Sequence, residues 1–80
     1  MRYHVLATDY DGTLAEDERV APDVLSSLKR LKSSGRKLIL VTGRELKDMQ
    51  RLFPEHTIFD LIVAENGALL YYPATWKKSY

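Results

Sequence analysis

The chain has 80 residues, which suffices for one compact unit and is too short for a protein of several domains. Hydrophobic residues make up 45% and charged residues 29%, which is typical of globular proteins and excludes disordered and low-complexity classes. Twelve Lys and Arg against eleven Asp and Glu give a formal charge of +1, so nucleic acid is not an expected partner. Apolar runs too short for a membrane span, no signal peptide and no cysteine predict a cytoplasmic protein.

The first half of the chain predicts a strand, a helix and a second strand. Residues 3–8 form a short apolar run that indicates a buried strand. A helix should begin at Pro22, which suits a first helical position, and it should stop at Gly35. Residues 37–41 are apolar on both faces, which is typical of an interior parallel strand.

The second half predicts another helix and two more extended segments. The helix is expected to open at Thr42 and to close at Pro54, because apolar residues recur between them at helical spacing. Residues 60–65 read as a third strand that ends in a turn at Asn66. Residues 68–72 are predicted to return antiparallel to it.

This rhythm of strand, helix, strand, helix, strand predicts the α/β class, with a partial Rossmann-like βαβαβ unit and a short C-terminal hairpin strand. Right-handed crossovers make the three main strands parallel. If the sheet order is simply 3-2-1, both helices lie on one face and nothing in the chain covers the other. No linker-like stretch divides residues 1–80, so we expect one unit.

The most informative cluster is the segment from Asp9 to Thr13, which follows the first strand. Asp9 and Asp11 stand two residues apart across a turn, where an α/β sheet places its ligands. Two carboxylates so close can hold a hard cation such as Mg²⁺. The alternative is that Asp11 and Gly12 form a plain turn with solvated acids.

A second cluster, Thr42, Gly43, Arg44 and Glu45, follows the second strand. A hydroxyl, a glycine amide and a helix N-terminus together suit a phosphate oxygen. Thr42 and Glu45 also have the spacing of a capping box, which is a purely structural motif. The sequence leaves both interpretations open.

The motifs together resemble a known family. Asp9 to Leu14, residues 41–44 and residues 65–68 are similar to the N-terminal part of a haloacid dehalogenase superfamily hydrolase. The resemblance is greatest to the Cof-like branch, which carries a large α/β cap after the third strand. It implies a Mg²⁺-dependent phosphatase acting on a small phosphorylated substrate.

The resemblance also implies roles for individual residues. Asp9 would be the nucleophile that forms an aspartyl-phosphate and would bind Mg²⁺. Asp11 would be the general acid and base, and its backbone carbonyl would be a second metal ligand. Thr42 and the Gly43 amide would hold the phosphoryl group. Arg44 and Asn66 would line the substrate side.

The family further uses a lysine and an acidic pair located after the cap, and nothing follows Tyr80 in this sequence. Lys77 and Lys78 come too early to replace that lysine. We therefore expect residues 1–80 to be an incomplete N-terminal part of the core domain, without the cap and the second half, and a weak or inactive catalyst alone.

The alternative is a non-catalytic module that binds metal or phosphate or associates with itself. An open sheet edge and an uncovered apolar face favour pairing with another copy, so a homo-oligomer is expected. We assign no role to His4 or His56. Aromatic residues near the C-terminus are expected to be core or cap-facing, and Tyr10 is expected either to pack or to touch substrate.

Overall fold

The computed structural model describes residues 5–80, and two helices and seven strands lie within that range. Short 3₁₀ segments, Pro54–Ile58 and Glu65–Gly67, flank the third long strand. The elements in chain order are β1 (Val5–Asp9), β2 (Ala15–Glu16), β3 (Arg19–Val20), α1 (Pro22–Ser33), β4 (Lys37–Val41), α2 (Leu46–Leu52), β5 (Leu61–Ala64), β6 (Leu69–Tyr72) and β7 (Lys77–Ser79).

Five of these strands form one sheet in the order β1-β4-β5-β6-β7. The first three are parallel, and β6 and β7 continue the sheet antiparallel. Asp9, Val41 and Val63 stand side by side in the register, so the carboxyl ends of the three parallel strands are level. The α/β class, the strand order and the antiparallel return are confirmed.

One face of the sheet carries the core. Its side chains alternate with those of the other face along each strand, and they pack against α1, α2 and the 3₁₀ segment between α2 and β5. The core residues supplied by the sheet are Leu38, Leu40, Ile62, Ala64, Leu69 and Tyr71, and those from outside it include Leu28, Met49, Phe53 and Phe59. We call this side of the sheet the covered face.

The opposite side, which we call the bare face, is also largely apolar, but no helix of the described residues 5–80 lies against it. It consists of the alternate residues of the same strands, and in the described part of the chain several of them are exposed. Val5 is 59% exposed and Val41 is 36% exposed. The bare-face residues are Val5, Ala7, Asp9, Lys37, Ile39, Val41, Leu61, Val63, Leu70, Tyr72, Lys77 and Ser79. The molecule is accordingly a slab of 32 × 28 × 17 Å.

Helix α1 begins at Pro22 and ends before Gly35 as its sequence predicts, but α2 is shorter than expected. The amide of Thr42 donates to the carbonyl of Val63 at 2.9 Å, which extends the hydrogen bonding of the sheet beyond β4. This keeps the backbone out of helical geometry, and α2 starts only at Leu46.

Asp60 fastens α1 to the sheet at the end opposite the strands' carboxyl termini. Its carboxylate accepts from the ammonium of Lys32 at 2.6 Å and from the amide of Leu38 at 2.8 Å. Its own amide donates to the Leu38 carbonyl at 2.8 Å. The predicted third strand included Asp60, and the structure starts β5 one residue later because Asp60 serves as this tie.

The first strand was predicted to be buried, but four of the five residues of β1 are exposed, because β1 lies at the edge of the sheet in the described part of the chain. The other differences concern small elements. The β2–β3 hairpin and β7 were not predicted, and Tyr3 and His4 lie outside the described residues. Of the C-terminal aromatic residues, Tyr71 is buried in the core, whereas Trp76 is 81% and Tyr80 is 88% exposed. None of the helices in residues 5–80 has the length and apolar character needed to cross a membrane.

Candidate active site

The carboxyl ends of the parallel strands open onto a cleft of about 290 Å³. Five of the six residues singled out in the sequence line it, although they come from three separate loops. The lining residues are Asp9, Tyr10, Asp11, Val41, Thr42, Gly43 and Asn66. The structure therefore brings the two motif clusters into one place, while the chemical role of each residue stays a prediction.

Asp9 and Asp11 reach the cleft by different routes. Asp9 is the last residue of β1 and is exposed, whereas Asp11 lies on the loop that follows. That loop turns at Gly12, whose φ of +77° is left-handed and is readily adopted by glycine. The amide of Gly12 donates to the carbonyl of Ala15 at 3.2 Å, which closes the loop and holds Asp11 at the cleft.

Tyr10 separates the two acids and packs rather than reaching the solvent. Its ring is fully buried and lies 6.1 Å from the ring of Phe53, between centroids. Its hydroxyl donates to the carbonyl of Glu18 at 2.7 Å, so it fixes the β2–β3 hairpin above the core. Burial, and secondarily the charge of Asp11, raises the pKa of Tyr10, which keeps the phenol neutral.

Arg44 does not line the cleft, but its side chain binds Asp11, which does. The guanidinium donates from Nε to Asp11 Oδ2 at 2.8 Å and from Nη2 to Asp11 Oδ1 at 2.9 Å. These hydrogen bonds lower the pKa of the Asp11 carboxyl, which is therefore ionised in this state. The predicted role of Arg44 on the substrate side stays a prediction.

The loop after β4 is shaped for a close approach between two segments. Thr42 is buried, and its Oγ1 accepts a hydrogen bond from the amide of Arg44 at 3.0 Å. A Cβ added at Gly43 would lie 2.8 Å from Oδ1 of Asn66, so only glycine fits there without movement. The capping-box interpretation is wrong, because no side chain caps α2 and the amide bound by Thr42 belongs to Arg44 rather than to Glu45.

Asn66 is held in place by a left-handed turn after β5. Glu65 and Asn66 have φ of 55° and 56°, and the turn is secured by the amide of Glu65, which donates to the Arg44 carbonyl at 3.0 Å. Asparagine tolerates this backbone conformation, while for glutamate it is strained. Such strain is found where a loop is fixed by its surroundings, here by the loop after β4.

Two residues near the site were missed by the sequence analysis. Asp48 accepts from Arg44 Nη1 at 3.2 Å, and the i,i+4 spacing of the two residues is the signal that could have revealed this pair. Glu18 lies 3.5 Å from Arg44 Nη2, and no local pattern signals that contact across the hairpin. Within residues 5–80, no cluster of three or more acidic or histidine side chains is suited to a metal ion.

Comparison with known proteins agrees with this geometry. The sequence profile of haloacid dehalogenase-like hydrolases matches residues 6–80. A glucosyl-3-phosphoglycerate/mannosyl-3-phosphoglycerate phosphatase of Persephonella marina is 34% identical over 74 residues, which are 91% of this chain and 28% of that protein. Phosphoglycolate phosphatase 1 of Saccharolobus solfataricus is 30% identical over 76 residues, 91% of this chain and 33% of its own length.

Solved structures show the same relationship. A haloacid dehalogenase-like hydrolase from Bacteroides thetaiotaomicron superposes with a TM-score of 0.84 at 23% identity, over 99% of this chain and 31% of that one. A phosphatase of the same superfamily and organism gives 0.75 at 32% identity, over 89% and 26%. The chain thus spans about a third or less of the proteins it matches. The profile match and the shared fold confirm the resemblance seen in the motifs, and this chain belongs to the haloacid dehalogenase-like hydrolases.

Proposed function

We propose that this chain carries the nucleophile and the phosphate-binding loop of a Mg²⁺-dependent phosphatase that works through an aspartyl-phosphate. The observation that carries the proposal is the single cleft at the ends of β1, β4 and β5. It gathers two carboxylates beside a hydroxyl and a glycine amide, which are the groups that phosphoryl transfer uses. The relatives described above are named phosphatases of phosphorylated compounds, which supports a small phosphate ester as substrate.

The two acids would divide the chemistry between them. An oxygen of Asp9 attacks phosphorus, the bond to the ester oxygen breaks, and the phosphoryl group is left on Asp9. Asp11 must be protonated to give a proton to the departing alkoxide, and it later takes one from the water that hydrolyses the acyl phosphate. The hydrogen bonds from Arg44 favour the ionised form, which is the form that the second of these steps needs. The exposed position of Asp9 at the end of β1 supports its part as the attacking group.

Thr42 and Gly43 would hold the transferred group. Because Oγ1 of Thr42 already accepts from the Arg44 amide, its hydroxyl proton remains available to a phosphoryl oxygen. Hydrogen bonds from the Thr42 amide to the Val63 carbonyl and from the Glu65 amide to the Arg44 carbonyl hold this loop, so the donors need little rearrangement when charge develops.

The donors at the cleft fit the metal that the family implies. Mg²⁺ takes oxygen ligands and is usually held by one or two carboxylates together with water and substrate phosphate. Asp9 would supply a carboxylate oxygen and Asp11 its backbone carbonyl oxygen, because both carboxylate oxygens of Asp11 accept from Arg44. When bound, the ion would offset the negative charge of the phosphoryl group.

We expect slow turnover from these 80 residues. The guanidinium of Arg44 is engaged by Asp11, and Lys77 and Lys78 lie on β7, four strand intervals or about 19 Å from β1. None of these three cations is therefore placed to offset the charge of the transferred group, which can be worth several kcal/mol in the transition state.

The proposal is tested by phosphate release from an aryl phosphate with and without Mg²⁺. Asp9→Asn keeps the shape of the side chain and removes the nucleophile, and Asp23→Asn makes the same change on the exposed surface of α1. We expect metal-dependent release in the wild type and in Asp23→Asn but not in Asp9→Asn. Acid-quenched intact mass should show one covalent phosphoryl group on the wild type. Equal release from the wild type and Asp9→Asn contradicts the proposal.

A second candidate function, self-association, is favoured by the bare face. We propose that its occupant is a second copy of this chain. The slab offers a face of up to 32 × 28 Å whose central residues are apolar, and within residues 5–80 β1 has a strand partner on one side only. A stable interface needs roughly 800 Å² from each partner, and a face of these dimensions can supply that area.

Self-association is tested by solution mass from light scattering. Ile39→Lys places a charge at the middle of the bare face, and Ser26→Lys adds the same charge to the exposed side of α1. We expect the wild type and Ser26→Lys to have the mass of two chains and Ile39→Lys that of one. A single-chain mass for the wild type at high protein concentration refutes this candidate.

A further inference from the structure

Arg44 and Asp11 form a two-pronged ion pair at the mouth of the cleft. Each oxygen of the carboxylate receives its own hydrogen bond, at 2.8 and 2.9 Å, from a different nitrogen of one planar guanidinium. The Arg44 side chain is 22% exposed and that of Asp11 is 51% exposed. Such a fork fixes the orientation of a carboxylate as well as its position, which a single hydrogen bond does not.

Arg44 is itself held on several sides. Its amide donates to Thr42 Oγ1 and its carbonyl accepts from the Glu65 amide, both at 3.0 Å, so its backbone is fixed to two loops of the site. Its Nη1 donates to Asp48 on α2 at 3.2 Å. These contacts fix the position of the guanidinium, and the guanidinium in turn fixes the position of the Asp11 carboxylate.

We propose that Arg44 is a positioning residue that holds Asp11 in the one rotamer from which it can exchange a proton with substrate. The inference rests on the proposed function, in which Asp11 serves as acid and base. Asp11 lies on a loop and is half exposed, so without its partner the side chain would sample several rotamers. The fork uses one lone pair on each carboxylate oxygen, and the second pair on each stays free for a proton.

The competing explanation is that the pair merely fastens the loop after β1 to α2. A structural tie would alter stability and would leave the turnover number of the folded enzyme unchanged. A positioning role would lower kcat with little change in KM, because substrate binding does not require the carboxylate to be aligned. The two explanations therefore differ in measurable quantities.

The experiment compares Arg44→Gln and Arg44→Lys with a matched control, Arg51→Gln. Arg51 also donates to Asp48, at 2.7 Å, but it does not line the cleft. Arg51→Gln therefore perturbs Asp48, as the Arg44 variants do. The first measurement is the side-chain rotamer of Asp11, from NMR scalar couplings at its β-protons. We expect one rotamer in the wild type and in Arg51→Gln, and averaging in Arg44→Gln.

The second measurement is kcat and KM for aryl phosphate hydrolysis with Mg²⁺. We expect kcat to fall on the order of 10- to 100-fold in Arg44→Gln, with KM within about twofold of the wild type. Arg44→Lys should restore little, since an ammonium cannot donate to both oxygens in the fork geometry. The control should retain its kcat.

The outcomes separate this inference from the proposed function. No turnover above Asp9→Asn refutes the proposed function, and with it the catalytic part of this inference. The rotamer measurement still decides whether Arg44 holds Asp11. Rotamer averaging in the wild type, or an Arg44→Gln variant with unchanged kcat, overturns the positioning role.

Discussion

The two faces of the main sheet carry side chains of the same chemical kind and differ in what lies against them. On β4, Leu40 points to the covered face and is fully buried, while its neighbour Ile39 points to the bare face and is only partly buried. Both are large aliphatic residues in the middle of one strand. The difference shows that the helices, and not the hydrophobicity of the strands, decide where the core forms in this chain.

The covered face is stabilised by a second layer of side chains, from the helices and the 3₁₀ segment, that packs against it. Phe53 and Phe59 pack edge to face with centroids 6.2 Å apart, and Met49 and Leu28 fill the space between the helices and the sheet. The bare face has no such layer among the described residues, so its apolar atoms contribute little to folding. The stability of the unit should therefore depend on one face.

The largest effect is expected from truncating a side chain on the covered face, which tests whether stability depends on that face. Leu40→Ala leaves a cavity in the covered face and should lower the free energy of unfolding by about 2–5 kcal/mol. Ile39→Ala removes a similar side chain from the same strand but should cost less than about 2 kcal/mol, because water already reaches that position. Urea denaturation followed by circular dichroism measures both.

If Leu40→Ala and Ile39→Ala lower the free energy of unfolding equally, the covered face and the bare face do not differ in their contribution to stability. A loss in Ile39→Ala that grows with protein concentration would instead indicate that a second copy covers the bare face, because the stability of an associating protein depends on concentration. The pair of variants therefore also reports on self-association.

An intermediate effect is expected from Asp60, which joins α1 to the covered side of the sheet. Burial alone would raise the pKa of its carboxyl, but the hydrogen bonds from Lys32 and from the Leu38 amide outweigh burial, so the pKa is lowered. A carboxyl with a lowered pKa in the folded state binds fewer protons there than in the unfolded chain. Its contribution to stability is therefore present above the unfolded pKa, near 4, and is lost as the pH falls through the folded value.

Asp60→Asn should cost about 1–2 kcal/mol at pH 7, because the ion pair and a hydrogen bond to a charged group are weakened. The variant should also lose less stability than the wild type between neutral pH and about pH 2. Urea midpoints across this pH range test the prediction, with Asp23→Asn as the exposed control. Parallel pH curves for the wild type and Asp60→Asn would show that Asp60 does not titrate as described.

The elements of the sheet were predictable because their signals are local. Pro22 and Gly35 mark the ends of α1, and the apolar run of four residues after Lys37 marks β4. The start of α2 was misplaced because Thr42 is a typical helix-capping residue. In the structure its amide donates instead to the carbonyl of Val63, which is distant in sequence. The β2–β3 hairpin was missed because each strand has two residues and its turn, at Asp17, lacks the usual Asn-Gly signal.

The site was predictable in its members and not in its contacts. The two carboxylates and the Thr42 loop could be placed together because parallel strands end at one edge of the sheet. The pairing of Arg44 with Asp11 joins residues 33 positions apart and depends on how two loops face each other. No periodicity or local motif indicates a contact between residues so far apart in sequence, so this ion pair could be found only in the structure.

The smallest expected effect lies at the turn between β6 and β7, at the edge of the bare face. Trp76 has φ of 56°, which is strained for a bulky residue, and its side chain is 81% exposed. Trp76→Gly relieves that strain and removes no buried contact, and it should raise the free energy of unfolding by up to about 1 kcal/mol after the greater freedom of glycine in the unfolded chain is counted.

Ala74 is the matched control, because it lies in the same turn and does not have a positive φ. Ala74→Gly should lower stability by roughly 0.4–1 kcal/mol, since glycine there adds freedom to the unfolded chain and relieves no strain. Circular dichroism must follow the unfolding, because Trp76 is the single tryptophan. If Trp76→Gly also lowers stability, the indole must be making contacts that its exposure does not reveal. The bare face, with Tyr72 and Lys77 beside the turn, would then hold its partner through this aromatic edge.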